Sequence, residues 1–292
     1  MSQPVIVVTG ANGQVGQELR ALAASYPTFE FVFTSHDNMP VNDEAAVQKV
    51  FAAHQPVYCI NCAAYTAVDK AESEQDIAYQ VNAEGARILA AACKTFNTRF
   101  IHISTDYVFN GQSPAPYTED APTDPVNLYG ASKLKGEQLC LQHNPEAIII
   151  RTAWVYSSFG KNFVKTMVKL MHDRTAINVV SDQVGAPTYA ADLAECMMQI
   201  IANCQLSTAN WLPGIYHYSN QGRISWYEFA VAIKELTGSA CMVNPIPSEQ
   251  YPTPAKRPAF SILDTNKIQK TFHCTIPDWK DSLQQCIKLL SY

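Results

Sequence analysis

The feature that most restricts this chain is how it begins. Residues 4–9, Pro-Val-Ile-Val-Val-Thr, form an unbroken apolar run rich in β-branched side chains, which reads as a strand covered on both faces. The run enters Gly10-Ala11-Asn12-Gly13-Gln14-Val15-Gly16 without a spacer. A helical pattern follows, with Val15, Leu19, Leu22 and Ala23 on one face and Pro27 at its far end. A strand hidden on both sides needs helices above and below it. The first half of the chain supplies them.

Further strands are predicted at 29–33, 57–61, 99–105 and 147–152. Between them come a helix opened by Asn42 or Asp43 that presents Val47, Val50 and Phe51, a long helix over 73–96 and another over 127–143. This alternation predicts an α/β fold, a Rossmann-like doubly wound parallel sheet. After about residue 155 the pattern loosens. Helices over 161–171, 191–204 and 226–237, strands at 176–180 and 214–219, and a terminal helix after Pro277 remain readable, with loop-rich, proline-marked stretches between Pro245 and Pro277. The expected organisation is a dinucleotide-binding domain over 1–155. Residues 156–292 form a smaller, partly interleaved C-terminal substrate-binding region that returns some segments to the first domain.

Composition removes other classes. The 292 residues are 47% hydrophobic with a net charge of −5, so a disordered chain is excluded. A general nucleic-acid binder would need a basic face. No apolar run approaches the ~20 residues that span a bilayer, and the first ten residues lack the basic start of a signal peptide. A cytoplasmic protein is expected, with no nucleic-acid or membrane partner. Nine scattered cysteines do not suit a disulfide framework. Cys59-x-x-Cys62 falls on a predicted buried strand and has no second pair, so no metal site is expected. No coiled-coil heptad or other association signal is present, although a homodimer is compatible with the sequence.

Three motifs carry chemistry. Glycines 10, 13 and 16 stand at a strand-to-helix junction, where backbone amides and the helix dipole suit a pyrophosphate. Asp37, after the second strand, is a candidate ribose partner, while Asp43 reads as a helix cap; no arginine nearby marks a 2′-phosphate. Tyr129 and Lys133 lie one helical turn apart, so that an ammonium would lower a phenol's pKa and prepare it to exchange a proton with a carbonyl oxygen. Thr105 ends the fourth strand, at the sheet edge where open α/β folds hold ligands, and could position that oxygen.

Together these residues resemble the extended short-chain dehydrogenase/reductase family. Within it, the segments around 61–73, 104–109, 151–156, 160–163, 182–188 and 255–258 look like those of dTDP-4-dehydrorhamnose reductases. The resemblance implies reduction of the C4 ketone of dTDP-4-dehydro-L-rhamnose to dTDP-L-rhamnose, a step of nucleotide-sugar biosynthesis, using NADPH or NADH. It implies Thr105, Tyr129 and Lys133 as the catalytic set. Gly10, Asn12, Gly13, Gln14, Val15 and Gly16 would surround the pyrophosphate, with Ala63, Ala64 and Tyr65 along the dinucleotide and Lys133 on the nicotinamide ribose. Thr105, Asp106, Tyr107 and Trp154 would face the sugar. Where the family often carries an Asp-Ile pair near the adenine, this chain has Met39-Pro40-Val41. A nucleotide-diphosphate sugar needs local cations; Lys161, Lys256, Arg223 and Arg257 are candidates, and Arg257 is preferred for its bidentate geometry. Trp226 is a further stacking candidate. Two alternatives share the fold: a non-catalytic dinucleotide-binding subunit like the regulatory subunit of methionine adenosyltransferase, and another nucleotide-sugar reductase or epimerase.

Overall fold

The computed structural model describes residues 3–290. Its centre is a six-stranded sheet. Strands β1 (Val5–Thr9), β2 (Glu30–Phe33), β3 (Tyr58–Asn61), β4 (Arg99–Thr105) and β5 (Ile148–Thr152) stand in the order 2-1-3-4-5, and Gly214–Tyr218 extends the sheet beyond β5. All five pairings are parallel. Ile6, Val7, Val8, Ile60, Ile148, Ile149 and Ile150 are 0% exposed, because helices cover both faces of a parallel sheet.

The α/β expectation holds. Helix α1 (Gln14–Leu22) follows the glycine turn, and α2 (Glu44–His54) is capped by Asp43, whose Oδ1 accepts from the Ala46 amide at 3.1 Å. The predicted long helix runs from Gln75 to Thr95, but residues Gln80–Glu84 wind as a π-helix and a separate turn, Val68–Ala71, precedes it. The helix Leu128–His143 starts on Asn127, whose Oδ1 accepts from the Gly130 amide at 2.8 Å.

Beyond β5, a second apolar cluster gathers Tyr156, Val164, Met167, Phe229, Ile233, Trp279 and Leu283. It joins the helices Phe163–Asp173, Trp226–Thr237 and Trp279–Lys288 to the strand Ala176–Val180. That strand pairs in parallel with Met242–Ile246, whose last two residues fall in the stretch read as loop-rich. Pro245 is tolerated because the two strands form a sheet of their own, where one missing donor falls on an edge. The helix Ala190–Leu206 returns to the main sheet and packs in its core with Leu19 and Tyr216. Among the described residues no helix is long and apolar enough to cross a membrane.

Candidate active site

The strand order reverses direction between β1 and β3, and open α/β sheets leave a crevice at such a point. Gly10 lies here at φ +65°, and a Cβ on it would sit 2.6 Å from the backbone of Cys62 and Ala63. Only glycine lets the two strand ends approach this closely. Gly16 lines neither cavity; a Cβ there would meet the Gly10 carbonyl at 2.5 Å, so it seats α1 tightly on the turn. Gly13 caps α1 without a side-chain hydrogen bond, which leaves first-turn amides free to meet an anion.

The crevice opens into a cavity of about 450 Å³ lined by Gly10, Asn12, Asp37, Met39, Ala63 and Tyr65. A second cavity of about 570 Å³ is lined by Thr105, Tyr107, Tyr129, Lys133, Trp154 and Trp226. Asn12, Gly13, Cys62 and Ala64 line both, so the two are one elongated cleft. Its shape, its glycine cradle and its uncapped helix start fit a dinucleotide. Met39 and Val41 furnish an apolar wall near Asp37 where the family often has Asp-Ile.

Thr105 is the last residue of β4. Its Oγ1 donates to Asp106 Oδ1 at 3.0 Å and accepts from the Tyr107 amide at 3.2 Å, which holds the hydroxyl at the cleft floor. Tyr129 and Lys133 face the same space from the first two turns of their helix. Lys133 is 2% exposed, and its Nζ donates to the Ile103 carbonyl at 2.7 Å. Burial pulls this ammonium down to about 8, against partial support from the Glu137 carboxylate. Burial also pushes the Tyr129 phenol up to about 12, and a hydrogen bond with Thr105 offsets this only in part. The sequence reading had Lys133 lowering the phenol. In the structure the ammonium is committed to Ile103, and desolvation outweighs any help it gives. Asp106 is buried with one carboxylate oxygen, Oδ2, unpartnered, and its carboxyl is pushed up to about 7 by burial.

Trp154 has the left-handed backbone φ of 49° and stacks on Trp226 with ring centroids 3.5 Å apart and planes 10° from parallel. The pair forms a flat wall of the second cavity. Gln14 does more than border the glycine turn: its Nε2 donates to the Val155 carbonyl at 3.3 Å, and its Oε1 accepts from Asn162 at 2.9 Å. Tyr65 is fixed by its backbone, which exchanges hydrogen bonds of 2.8 and 3.1 Å with the Asn82 side chain.

Arg257 differs from expectation. Its guanidinium makes a bidentate pair with Asp69, at 3.0 and 2.8 Å, and donates to the Ala255 carbonyl, and it does not line the cleft. A planar fork that suits a phosphate suits a carboxylate equally well, and Asp69 has taken it. Of the other cations, Arg223 lies over the Phe260 ring, Lys256 is exposed, and Lys161 lines the second cavity.

Asn82 was not foreseen. The π-helical turn re-aims its side chain inward, where it holds Tyr65 and donates to Ser132 Oγ at 2.9 Å. No apolar periodicity signals such a residue. Ser104, whose buried Oγ has no partner, was also passed over; its place beside Thr105 at the end of β4 was the available signal.

This fold and cleft define a class: dinucleotide-binding α/β proteins of the extended short-chain dehydrogenase/reductase type. Residues 4–292 match the model of the RmlD substrate binding domain family. The chain is 40% identical over 286 residues to the dTDP-4-dehydrorhamnose reductase of Sinorhizobium fredii, covering 97% of this chain and 96% of that one. Two solved structures are similar over nearly their whole length. The dTDP-4-dehydrorhamnose reductase of Clostridium acetobutylicum has a TM-score of 0.91 at 40% identity, covering 98% of this chain and 99% of that one. That of Bacillus anthracis, solved in complex with NADP, has a TM-score of 0.93 at 37% identity, with the same coverage. The chain belongs to the dTDP-4-dehydrorhamnose reductase family.

Proposed function

We propose that this protein reduces the C4 ketone of dTDP-4-dehydro-L-rhamnose to dTDP-L-rhamnose with NADPH or NADH. The observation that carries the reading is the continuity of the cleft: the glycine turn borders one end, and Thr105, Tyr129 and Lys133 meet at the other. The names of the relatives support the substrate.

When bound, the reduced nicotinamide supplies the hydride. The chain's own residues handle position and proton. Tyr129, whose phenol burial holds near 12, keeps its proton throughout the neutral range and donates it to the ketone oxygen. Thr105 orients that oxygen from the end of β4. Lys133, anchored on Ile103, would hold the nicotinamide ribose. Gly10, Asn12, Gly13, Gln14 and Val15 would hold the pyrophosphate over the start of α1, with Gly16 beneath them and Ala63, Ala64 and Tyr65 along the β3 side. Asp106, Tyr107 and Trp154 would face the sugar, with Lys161 in place of Arg257 as the cation nearest the diphosphate. In this division, residues 1–155 bind the dinucleotide and 156–292 mainly bind the sugar. The protein acts in the cytoplasm.

The test follows the near-ultraviolet absorbance of reduced nicotinamide while the purified protein meets enzymatically made dTDP-4-dehydro-L-rhamnose with each cofactor. Loss of absorbance with formation of dTDP-L-rhamnose is expected. Dinucleotide binding without oxidation would reject the reading.

A further inference from the structure

The sulfurs of Cys196 and Cys274 lie 3.0 Å apart, in residues 3% and 4% exposed. Cys196 projects from the helix Ala190–Leu206 into the main core, beside Tyr218, Phe272 and Ile276. Cys274 stands in the short connection between the helices Asn266–Phe272 and Trp279–Lys288, flanked by exposed His273 and Thr275. The two are 78 residues apart in sequence, so their meeting is a product of the fold. Their separation is closer than ordinary sulfur contact and about 1 Å longer than a disulfide bond. Closing it requires an approach of about 1 Å. Neither sulfur lines the cleft.

We propose that Cys196 and Cys274 are a reversible disulfide-forming modification site, closed by a hydroperoxide. Cys274, on the connecting segment nearer solvent, attacks the peroxide as thiolate. Its sulfur bonds to one oxygen, the O–O bond breaks, and the other oxygen leaves and takes up a proton as water or alcohol. The Cys196 thiol then attacks the sulfenic sulfur, the S–O bond breaks, and water leaves with the Cys196 proton. Two thiols lose two electrons and two protons, and the peroxide is reduced by two electrons. A hydrogen bond between the sulfurs already favours the thiolate at Cys274 by holding its thiol below the ordinary range. The other seven of the nine cysteines take no part.

The full chain is treated with hydrogen peroxide, quenched, alkylated under denaturing conditions and mapped by peptide mass spectrometry. The expected result is a fall from nine free thiols by two, one cross-linked species joining the Cys196 and Cys274 peptides, and full reversal by dithiothreitol. In Cys196→Ser the reaction stops at a Cys274 sulfenic acid that dimedone captures. If that variant does not fold, the wild-type map decides alone. Retention of all nine thiols, a cross-link between other cysteines, or over-oxidation of Cys274 without a cross-link would overturn the proposal. Turnover plays no part in the readout, so the outcome is independent of the reductase assignment.

Discussion

At the scale of single residues, the cleft is governed by burial acting on three titratable groups that the fold cannot hydrate. A phenol held near 12 beside a threonine hydroxyl stays protonated at neutral pH and so carries the proton that reduction of a ketone needs, although as an acid it is weaker than a free tyrosine. Tyr129→Phe removes the proton and little else. Turnover should fall roughly 10²–10⁴-fold, while dinucleotide affinity, read by fluorescence titration, stays within about two-fold; unchanged turnover would remove Tyr129 from the mechanism. Lys133→Ala should weaken dinucleotide binding and turnover together, because one buried ammonium serves both, and steady-state kinetics with each substrate varied would separate this from a loss confined to the sugar. Asp106 gives a pH prediction. Its carboxyl rises from 3.8 to about 7 on folding, so between those values the folded chain holds a proton that the unfolded chain has lost. The contribution of Asp106 to stability therefore falls as pH rises from about 4 to about 7. Asp106→Asn removes the titration, and its stability relative to wild type should grow across that window, by up to roughly 1.4 kcal/mol per pKa unit. Thermal melts at the two ends of the window check it, and a constant difference would mean that Asp106 ionises as readily folded as unfolded.

At the scale of elements, the helix Leu128–His143 is the part that must not move, since it carries both Tyr129 and Lys133. Three contacts fix it. Asn127 caps its start, Gly136 lets the π-helical turn approach so closely that a Cβ would meet the Asn82 carbonyl at 2.1 Å, and Glu137 makes a bidentate pair with Arg151 of β5 at 2.9 and 2.7 Å. Both charged side chains are 3% exposed or less. Breaking such a pair leaves an unpaired buried charge, so Glu137→Ala should lower stability by about 3–5 kcal/mol, measured by urea denaturation. Restoration by a second change, Arg151→Met, would show that the orphaned cation is the cause; no recovery would point to lost packing instead. The same element explains what the sequence made legible. Apolar runs, caps and a lysine one turn after a tyrosine are local patterns, and they marked β1 to β5, this helix and the Tyr129–Lys133 pair proposed to be catalytic. The pairings Val155–Tyr156 with Thr188–Tyr189 and Val184–Gly185 with Ile224–Ser225 are two residues long, too short to leave a period. The Asp69 partner of Arg257 lies 188 residues away in sequence, and no spacing rule reaches that far.

At the scale of the whole molecule, the cleft has walls from both halves of the chain, and this couples substrate binding to global stability. Gln14 bonds Asn162, Glu18 of α1 accepts from Ser157 at 2.6 Å, and Gly214–Tyr218 completes the main sheet beside β5. The helix Ala190–Leu206 shares a core with β1 and α1. These crossings make independent unfolding of either half costly, because each would expose apolar surface belonging to the other. Scanning calorimetry should then show a single endotherm. A dinucleotide that binds only the folded chain must move that endotherm as a unit, with a stabilisation of about 2.7 kcal/mol at a hundred-fold excess over its Kd. Two endotherms, with only the first moved by NADPH, would mean that residues 156–292 fold on their own and that the contacts of Gln14 and Glu18 are incidental. A single endotherm that NADPH shifts and dTDP shifts further would mean that the two ligands occupy one cooperative structure, as a shared cleft requires.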